Sequence, residues 1–381
     1  ASMTFWIQGI GAVTPLGSNG AETWSALCRG EQATRTPFAK PLTGRYYFSC
    51  PVPAKFIAAA ARQPRLRRSG TISLLGAAAG FDALADAGLK PDQASSDRIA
   101  VVFAVCSGGI NYTRRFYDEI VTHGAHRASP LLFPETVYNA AASHLASLLG
   151  VNGQSYTLVG DSSVGLGAIH FATELLTMQP ELDRCLVVGT EEADWLLAEA
   201  FASWRMATAE DQFEVYGRAG GTIFGEGAAA ILLGRTGTLA VASSSAGLPF
   251  HSYRDSESAA REMFGRLRPE GLPEIIVSSA NGTFVDEVER KTFSEFYPAV
   301  PVYAPKPSLG EALGASALLQ VAVAGWALRQ QQLPGTLGAG PKLQSVNRLT
   351  RFCPASQALV TAVGFNHQVN ALNLRLAESP Y

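Results

Sequence analysis

The run Tyr156-Thr157-Leu158-Val159 is strand-like and stops at Gly160-Asp161-Ser162-Ser163, after which an Ala-rich helical stretch begins near Val164. A strand-to-helix turn of this kind is where a nucleophile on a buried helix stands, and Ser162 holds the position. The first N–H groups of a helix point outward, so an oxygen nucleophile and a developing oxyanion would both be stabilised there. A second reading needs no chemistry: serine is a preferred N-cap, and Ser162, helped by Ser163, suits that role. The turn is not a nucleophile elbow, because Gly160 and Gly165 flank two different serines instead of one.

A reactive serine needs a base, and the chain has six histidines. Of these, His367 follows a strand-like run in the Gly/Asn-rich stretch Gly364-Phe365-Asn366-His367, which fits a loop facing a site. His123 and His126 have a weak metal spacing with only Asp118 and Glu119 nearby, so no metal site is expected. The glycine-dense stretch from Gly217 to Gly227 lacks the Lys-Ser ending of a phosphate loop. It fits close backbone packing beside a site, with Glu226 hydrogen-bonded there. Gly165-Leu166-Gly167 is too short for a dinucleotide fingerprint, and no cofactor is implied.

These groups must be positioned by strands and helices in alternation. Strand-like runs cover residues 5–10, 99–105, 155–159, 184–188, 227–233, 238–242, 274–278, 300–304 and 358–364. Helical patterns lie between them, which points to α/β layering. Residues 71–87 form an Ala-rich helix closed by Gly88. Residues 307–328 read as one nearly all-apolar helix, which must be buried on every side. The two strongest buried helices, starting near Ser162 and Ser308, each follow a strand and a small-residue turn. That repetition indicates a duplicated architecture with its break near Gly234-Arg235-Thr236-Gly237.

Composition limits the function further. The chain has 381 residues, 47% hydrophobic and 16% charged, enough for a large core in two domains or one doubled domain. A formal charge of -2 without long runs of one sign argues against nucleic-acid binding. The longest apolar stretches are broken by Gly, Ser and Gln, short of the roughly 18 apolar residues that span a bilayer. Five cysteines without CxxC spacing suit reduced thiols and a cytoplasmic protein. Ala1 and Ser2 read as a cloning remnant ahead of Met3, with no signal peptide.

Several motifs line up, in order, with one family. Gly9-Ile10-Gly11-Ala12-Val13-Thr14-Pro15-Leu16-Gly17, Phe133-Pro134 with Asn139-Ala140-Ala141-Ala142-Ser143-His144, and Gly225-Glu226-Gly227-Ala228 all carry the likeness. Ala280-Asn281-Gly282-Thr283, Lys306-Pro307-Ser308-Leu309-Gly310-Glu311 and Gly364-Phe365 complete it. The chain resembles a β-ketoacyl synthase of the thiolase-fold condensing enzymes over residues 5–375. The resemblance implies an α/β thiolase-like fold of two βαβαβαββ halves, residues 1–235 and 236–381, in five layers α-β-α-β-α.

The departures from that family carry the functional reading. Condensing members have a cysteine at the turn and two histidines; the resemblance places Ser162, Asn281 and Glu311 at those positions, and only Lys306 keeps its identity. The histidines donate hydrogen bonds to the thioester oxygen as an enolate develops. Asn281 can still donate one, whereas an ionised Glu311 only accepts and repels the enolate. Losing one such donor costs on the order of 10²–10³ in rate, and an unactivated hydroxyl in place of the thiolate adds a further loss.

Family subunits without the reactive set resemble chain-length factors, which pair with an active ketosynthase and shape the acyl tunnel at the dimer interface. The resemblance implies such a heterodimer, working with an acyl carrier protein in type II polyketide, aryl-polyene or fatty-acid-like assembly. Tyr112, Phe116, Phe133 and Tyr138, with Phe365 and His367, fall where the family lines the acyl pocket and the interface. Two alternatives stand beside it: an acyltransferase or thioesterase-like enzyme with Ser162 as nucleophile and His367 or Glu311 as base, and a homodimeric scaffold that binds acyl carriers.

Overall fold

The structure is a computed structural model that describes residues 4–41, 43–90, 98–212, 214–218, 220–267, 271–365 and 368–377. Ten strands build its frame. Five lie in the first half: β1 (Phe5–Val13), β2 (Ile99–Val105), β3 (Ser155–Val159), β4 (Arg184–Glu191) and β5 (Gly227–Gly234). Five follow: β6 (Leu239–Ser244), β7 (Ile275–Val277), β8 (Val302–Tyr303), β9 (Gln357–Val363) and β10 (Gln368–Leu376).

The spatial order of the first set is β3-β2-β4-β5-β1, and that of the second is β8-β7-β9-β10-β6. Each set has its first three positions parallel and its last two antiparallel. The two halves therefore repeat one topology, as the paired strand–turn–helix pattern predicts. They join where Phe5–Ile7 of β1 pairs with residues 239–241 of β6.

Helices separate and cover the sheets: α1 (Gly20–Cys28), α2 (Thr71–Asp86), α3 (Ile110–His123), α4 (Ala140–Leu148), α5 (Val164–Met178), α6 (Trp195–Ser203), α7 (Ser256–Arg266), α8 (Phe284–Phe296) and α9 (Leu313–Gln330). The alternation of side chains along each strand decides the layers. Val102, Val187 and Ile231 face α5 and α9 from one sheet, and Val277, Val360 and Leu372 face them from the other. The opposite faces, with Phe103 and Val188 in one half and Ile276 and Leu359 in the other, pack on α2 and α4 or on α7 and α8. Five layers result, α-β-α-β-α, with both sheets buried on both faces. Such strands read as continuous apolar runs, which is why they were legible.

Helix α2 ends as its sequence predicts. Gly88 takes a φ of +69°, and the Gly88 and Leu89 N–H groups donate back to the Ala85 and Leu84 carbonyls. The expected helix over residues 307–328 is corrected: it is two pieces, a turn at Lys306–Leu309 and α9 from Leu313. Strand β10 was not foreseen, because Asn370 and Asn373 interrupt its apolar pattern although both are buried. Asn373 is satisfied there by donating to the Ser243 hydroxyl and the Leu267 carbonyl.

Candidate functional site

The break between the two helical pieces creates the site. Gly310 has a φ of +85°, and a Cβ there would stand 2.8 Å from the Gly225 Cα. That contact lets Glu311 run extended beside the glycine-dense segment: its N–H donates to the Ile223 carbonyl at 2.8 Å, and the Gly225 N–H donates to its carbonyl at 3.0 Å. Glu311 is thereby held at the start of α9 with its side chain pointing inward at 0% exposure. The expected packing role of residues 217–227 is seen here. Glu226 accepts the Val52 and Ala193 N–H groups, as a hydrogen-bonded carboxylate beside the site.

Four donors converge on the Glu311 carboxylate. Lys306 Nζ donates to Oε2 at 2.6 Å and Asn281 Nδ2 to the same oxygen at 2.9 Å. Ser316 Oγ donates to Oε1 at 2.6 Å and the Leu313 N–H at 3.1 Å. Lys306, Asn281 and Glu311 are all buried, so this is an ion pair in low dielectric whose lone pairs are fully used. Asn281 is fixed in turn. Its Oδ1 accepts the Thr283 hydroxyl at 2.6 Å, and its N–H donates to Asp286 Oδ1 at 2.8 Å. Burial pushes the Asp286 carboxyl up to about 7 against those backbone donors.

Ser162 stands at the start of the other central helix, 2% exposed, and its hydroxyl has no hydrogen-bond partner. The capping role expected of it is corrected. Helix α5 begins at Val164 after Ser163, and the Asp161 carboxylate does the local bonding by accepting the Ser163 N–H at 2.9 Å and its hydroxyl at 2.8 Å. The two central helices meet closely here: a Cβ on Gly165 would lie 3.0 Å from the Leu318 N of α9. Ser162 has neither Glu311 nor any other described group as a base. His367 lies outside the described residues.

The remaining predicted residues divide into two groups. Phe365 is buried and packs edge-on against Phe201 at 4.9 Å, with Phe224 on the other side of Phe201 at 5.0 Å. Tyr112 donates its hydroxyl to the Arg68 carbonyl, and Phe116 packs on Phe133 at 5.8 Å. Phe133 and Tyr138 are 55% and 49% exposed, so they point away from this chain's core. Tyr117, Val121 and Leu131 are exposed with them, giving an apolar patch on α3 and the segment after it.

Sequence reasoning missed a set of buried carboxylates around the site. Glu191 accepts the Cys106, Ser107 and Gly314 N–H groups, tying β2 to the start of α9, and desolvation pushes it up to about 7. Glu192 accepts the Asn111 N–H at the start of α3, while its Oε2 is buried without a partner. Desolvation raises it to about 7 as well. Their signal was two adjacent acids, Glu191-Glu192, two residues beyond the apolar run Leu186-Val187-Val188.

Comparisons with known proteins follow the same lines. The β-ketoacyl synthase N-terminal domain profile matches residues 5–238. A 3-oxoacyl-[acyl-carrier-protein] synthase 2 of Coxiella burnetii is 26% identical, with 87% of each chain covered. A tetracenomycin polyketide synthase ketoacyl synthase beta subunit of Streptomyces glaucescens is 26% identical, with 97% of each covered. Among solved structures, a β-ketoacyl synthase from Burkholderia phymatum superposes with a TM-score of 0.85 at 19% identity, covering 99% of this chain and 100% of that one. The ishigamide ketosynthase/chain length factor gives 0.86 at 18% identity, with the same coverage. At those identities the solved structures bear on the fold.

Proposed function

The chain belongs to the β-ketoacyl synthase family, and from that premise we propose that it is a non-condensing, chain-length-factor-type subunit that pairs with an active ketosynthase. It shapes the acyl tunnel of a type II polyketide, aryl-polyene or fatty-acid-like assembly in the cytoplasm, fed by acyl carrier protein. The observation that carries this reading is the closed Lys306–Glu311–Asn281 network. An enolate needs hydrogen-bond donors aimed at its oxygen. Here the two donors nearest that role, Lys306 Nζ and Asn281 Nδ2, are spent on a buried carboxylate, whose own charge opposes a second anion. Ser162, whose hydroxyl is hydrogen-bonded to no base among the described residues, fits the same reading.

What such a subunit contributes must lie on its surface. The exposed aromatics Phe133 and Tyr138 beside Phe116 suit a partner-facing wall. The test is reconstitution of the active ketosynthase with carrier-bound acyl and malonyl groups, with and without this chain. Product is expected only when the ketosynthase is present. A Phe133→Ala subunit shifts the product towards longer chains, because a large ring has left the tunnel wall. An unchanged product distribution would count against the tunnel role.

A further inference from the structure

The segment between α3 and α4 is folded inside out. Leu131, Phe133 and Tyr138 are exposed, whereas Glu135 among them is buried. Burying a carboxylate while leaving large apolar groups in water is unfavourable on both counts, so the segment must be held from behind. Glu135 does the holding. Its Oε2 accepts the Gly70 N–H at 2.9 Å, and His144 Nε2 donates to its Oε1 at 2.7 Å. Gly70 is the N-cap of α2 and has no side chain to close that helix start. Glu135 therefore gives, from 65 residues away, the bond that a capping-box glutamate gives from inside a helix. The helix dipole favours an anion there. Burial raises the Glu135 carboxyl, but the His144 and Gly70 bonds outweigh it and hold the group below its ordinary value. Helix α3 offers no comparable anchor: none of its residues is buried, and its Phe116 ring meets Phe133 at 5.8 Å. A Cβ on Gly109 would stand 2.4 Å from the Glu135 carbonyl oxygen, so the turn before α3 admits the segment only with glycine there.

We propose that Glu135, braced by His144 and the start of α2, is a positioning residue that sets how far Phe133 and Tyr138 project into the acyl tunnel, and so where chain extension stops. The inference rests on the tunnel-wall reading above and adds to it what fixes the wall. Phe133 lies two residues before Glu135 and Tyr138 three after it, so both rings ride on one short lever whose fixed point is the carboxylate. Helices α2 and α4 hold that point. Neither can shift without disturbing the close packing of Leu75, Leu84 and Leu145 against the sheet. The rings therefore stop an acyl chain at a set depth instead of yielding to it. Without the carboxylate the segment loses its ties to Gly70 and His144, and the stop softens.

The experiment reconstitutes the active ketosynthase, carrier-bound acyl and malonyl groups and this chain as wild type, Phe133→Ala, Glu135→Ala, Glu135→Gln, His144→Ala and the Phe133→Ala Glu135→Ala double variant. Product lengths are read by mass spectrometry and folding by thermal melting. Glu135→Ala is expected to raise the ratio of longer to shorter product about threefold or more, in the same direction as Phe133→Ala. The double variant goes no further than the larger single effect, because both changes remove the same stop. Glu135→Gln, which still accepts the Gly70 N–H and donates to His144, keeps the wild-type distribution. His144→Ala shifts the product the same way by less, and it carries the test if Glu135→Ala does not fold. A wild-type distribution from the variant that carries the test, beside a shifted one from Phe133→Ala, overturns this inference alone and leaves the functional reading standing. Additive effects in the double variant, or a Glu135→Gln shift as large as that of Glu135→Ala, overturn it as well. An unshifted Phe133→Ala product strikes the tunnel-wall reading itself, and this inference with it.

Discussion

Glu311 and Lys306 hold each other in a buried site, and their value shows when one is removed. Glu311→Ala leaves the Lys306 ammonium buried without a counter-charge and frees Asn281 Nδ2 and Ser316 Oγ as well. The expected cost is about 3–5 kcal/mol in urea unfolding; a loss within measurement error would mean that the network is not formed in solution. Glu192 makes a pH-dependent prediction. Desolvation raises its carboxyl to about 7, with the neighbouring Glu226 and Asp194 charges adding to the effect. The unfolded value is about 4.3, so the folded state binds the proton more tightly. Its stabilising contribution is full below that value and is lost as pH rises through about 7. Glu192→Gln keeps the neutral form at every pH. Its stability advantage over the wild type should grow from pH 5 to pH 8, on the order of 1–3 kcal/mol. Parallel stability-versus-pH curves for the two proteins would sink this assignment.

At the scale of elements, the site depends on one interruption. Gly310 turns the chain so that Glu311 leaves the helix, pairs with residues 223–225 and points its carboxylate at Lys306. Gly310→Ala forces a side chain into a left-handed conformation and against Gly225, so the dihedral alone costs about 1–3 kcal/mol. A circular-dichroism melt should show it, and a wild-type melting temperature would contradict the geometry. The interruption was not legible within residues 307–328, because every residue from Lys306 to Leu328 is buried and periodicity carries no mark of a break. The same uniform burial made the strands easy to find. Strand β10 was hidden for the opposite reason: the buried Asn370 and Asn373 break its apolar pattern, and Asn373 finds its partners only across the fold. Ser162 was misread as a cap because composition favours serine there. The carboxylate that does the bonding sits one residue earlier, at Asp161.

On the scale of the whole molecule, the two halves repeat one topology, and between them Lys306, Asn281 and Glu311 satisfy one another. Sequence reached the positions Ser162, Asn281, Lys306 and Glu311 through motif order. It could not reach the closed network, because Ser316 and the Leu313 N–H enter only when α9 is bent into place. The fold is kept intact, and with it the open edge of β3 and the apolar patch around Phe133. The central claim, that this subunit does no acyl chemistry, is tested most directly by intact mass after incubation with acyl thioesters and acyl carrier protein, comparing wild type with Ser162→Ala. The account predicts an unmodified mass for both. An acyl adduct on the wild type that is absent from Ser162→Ala would contradict it.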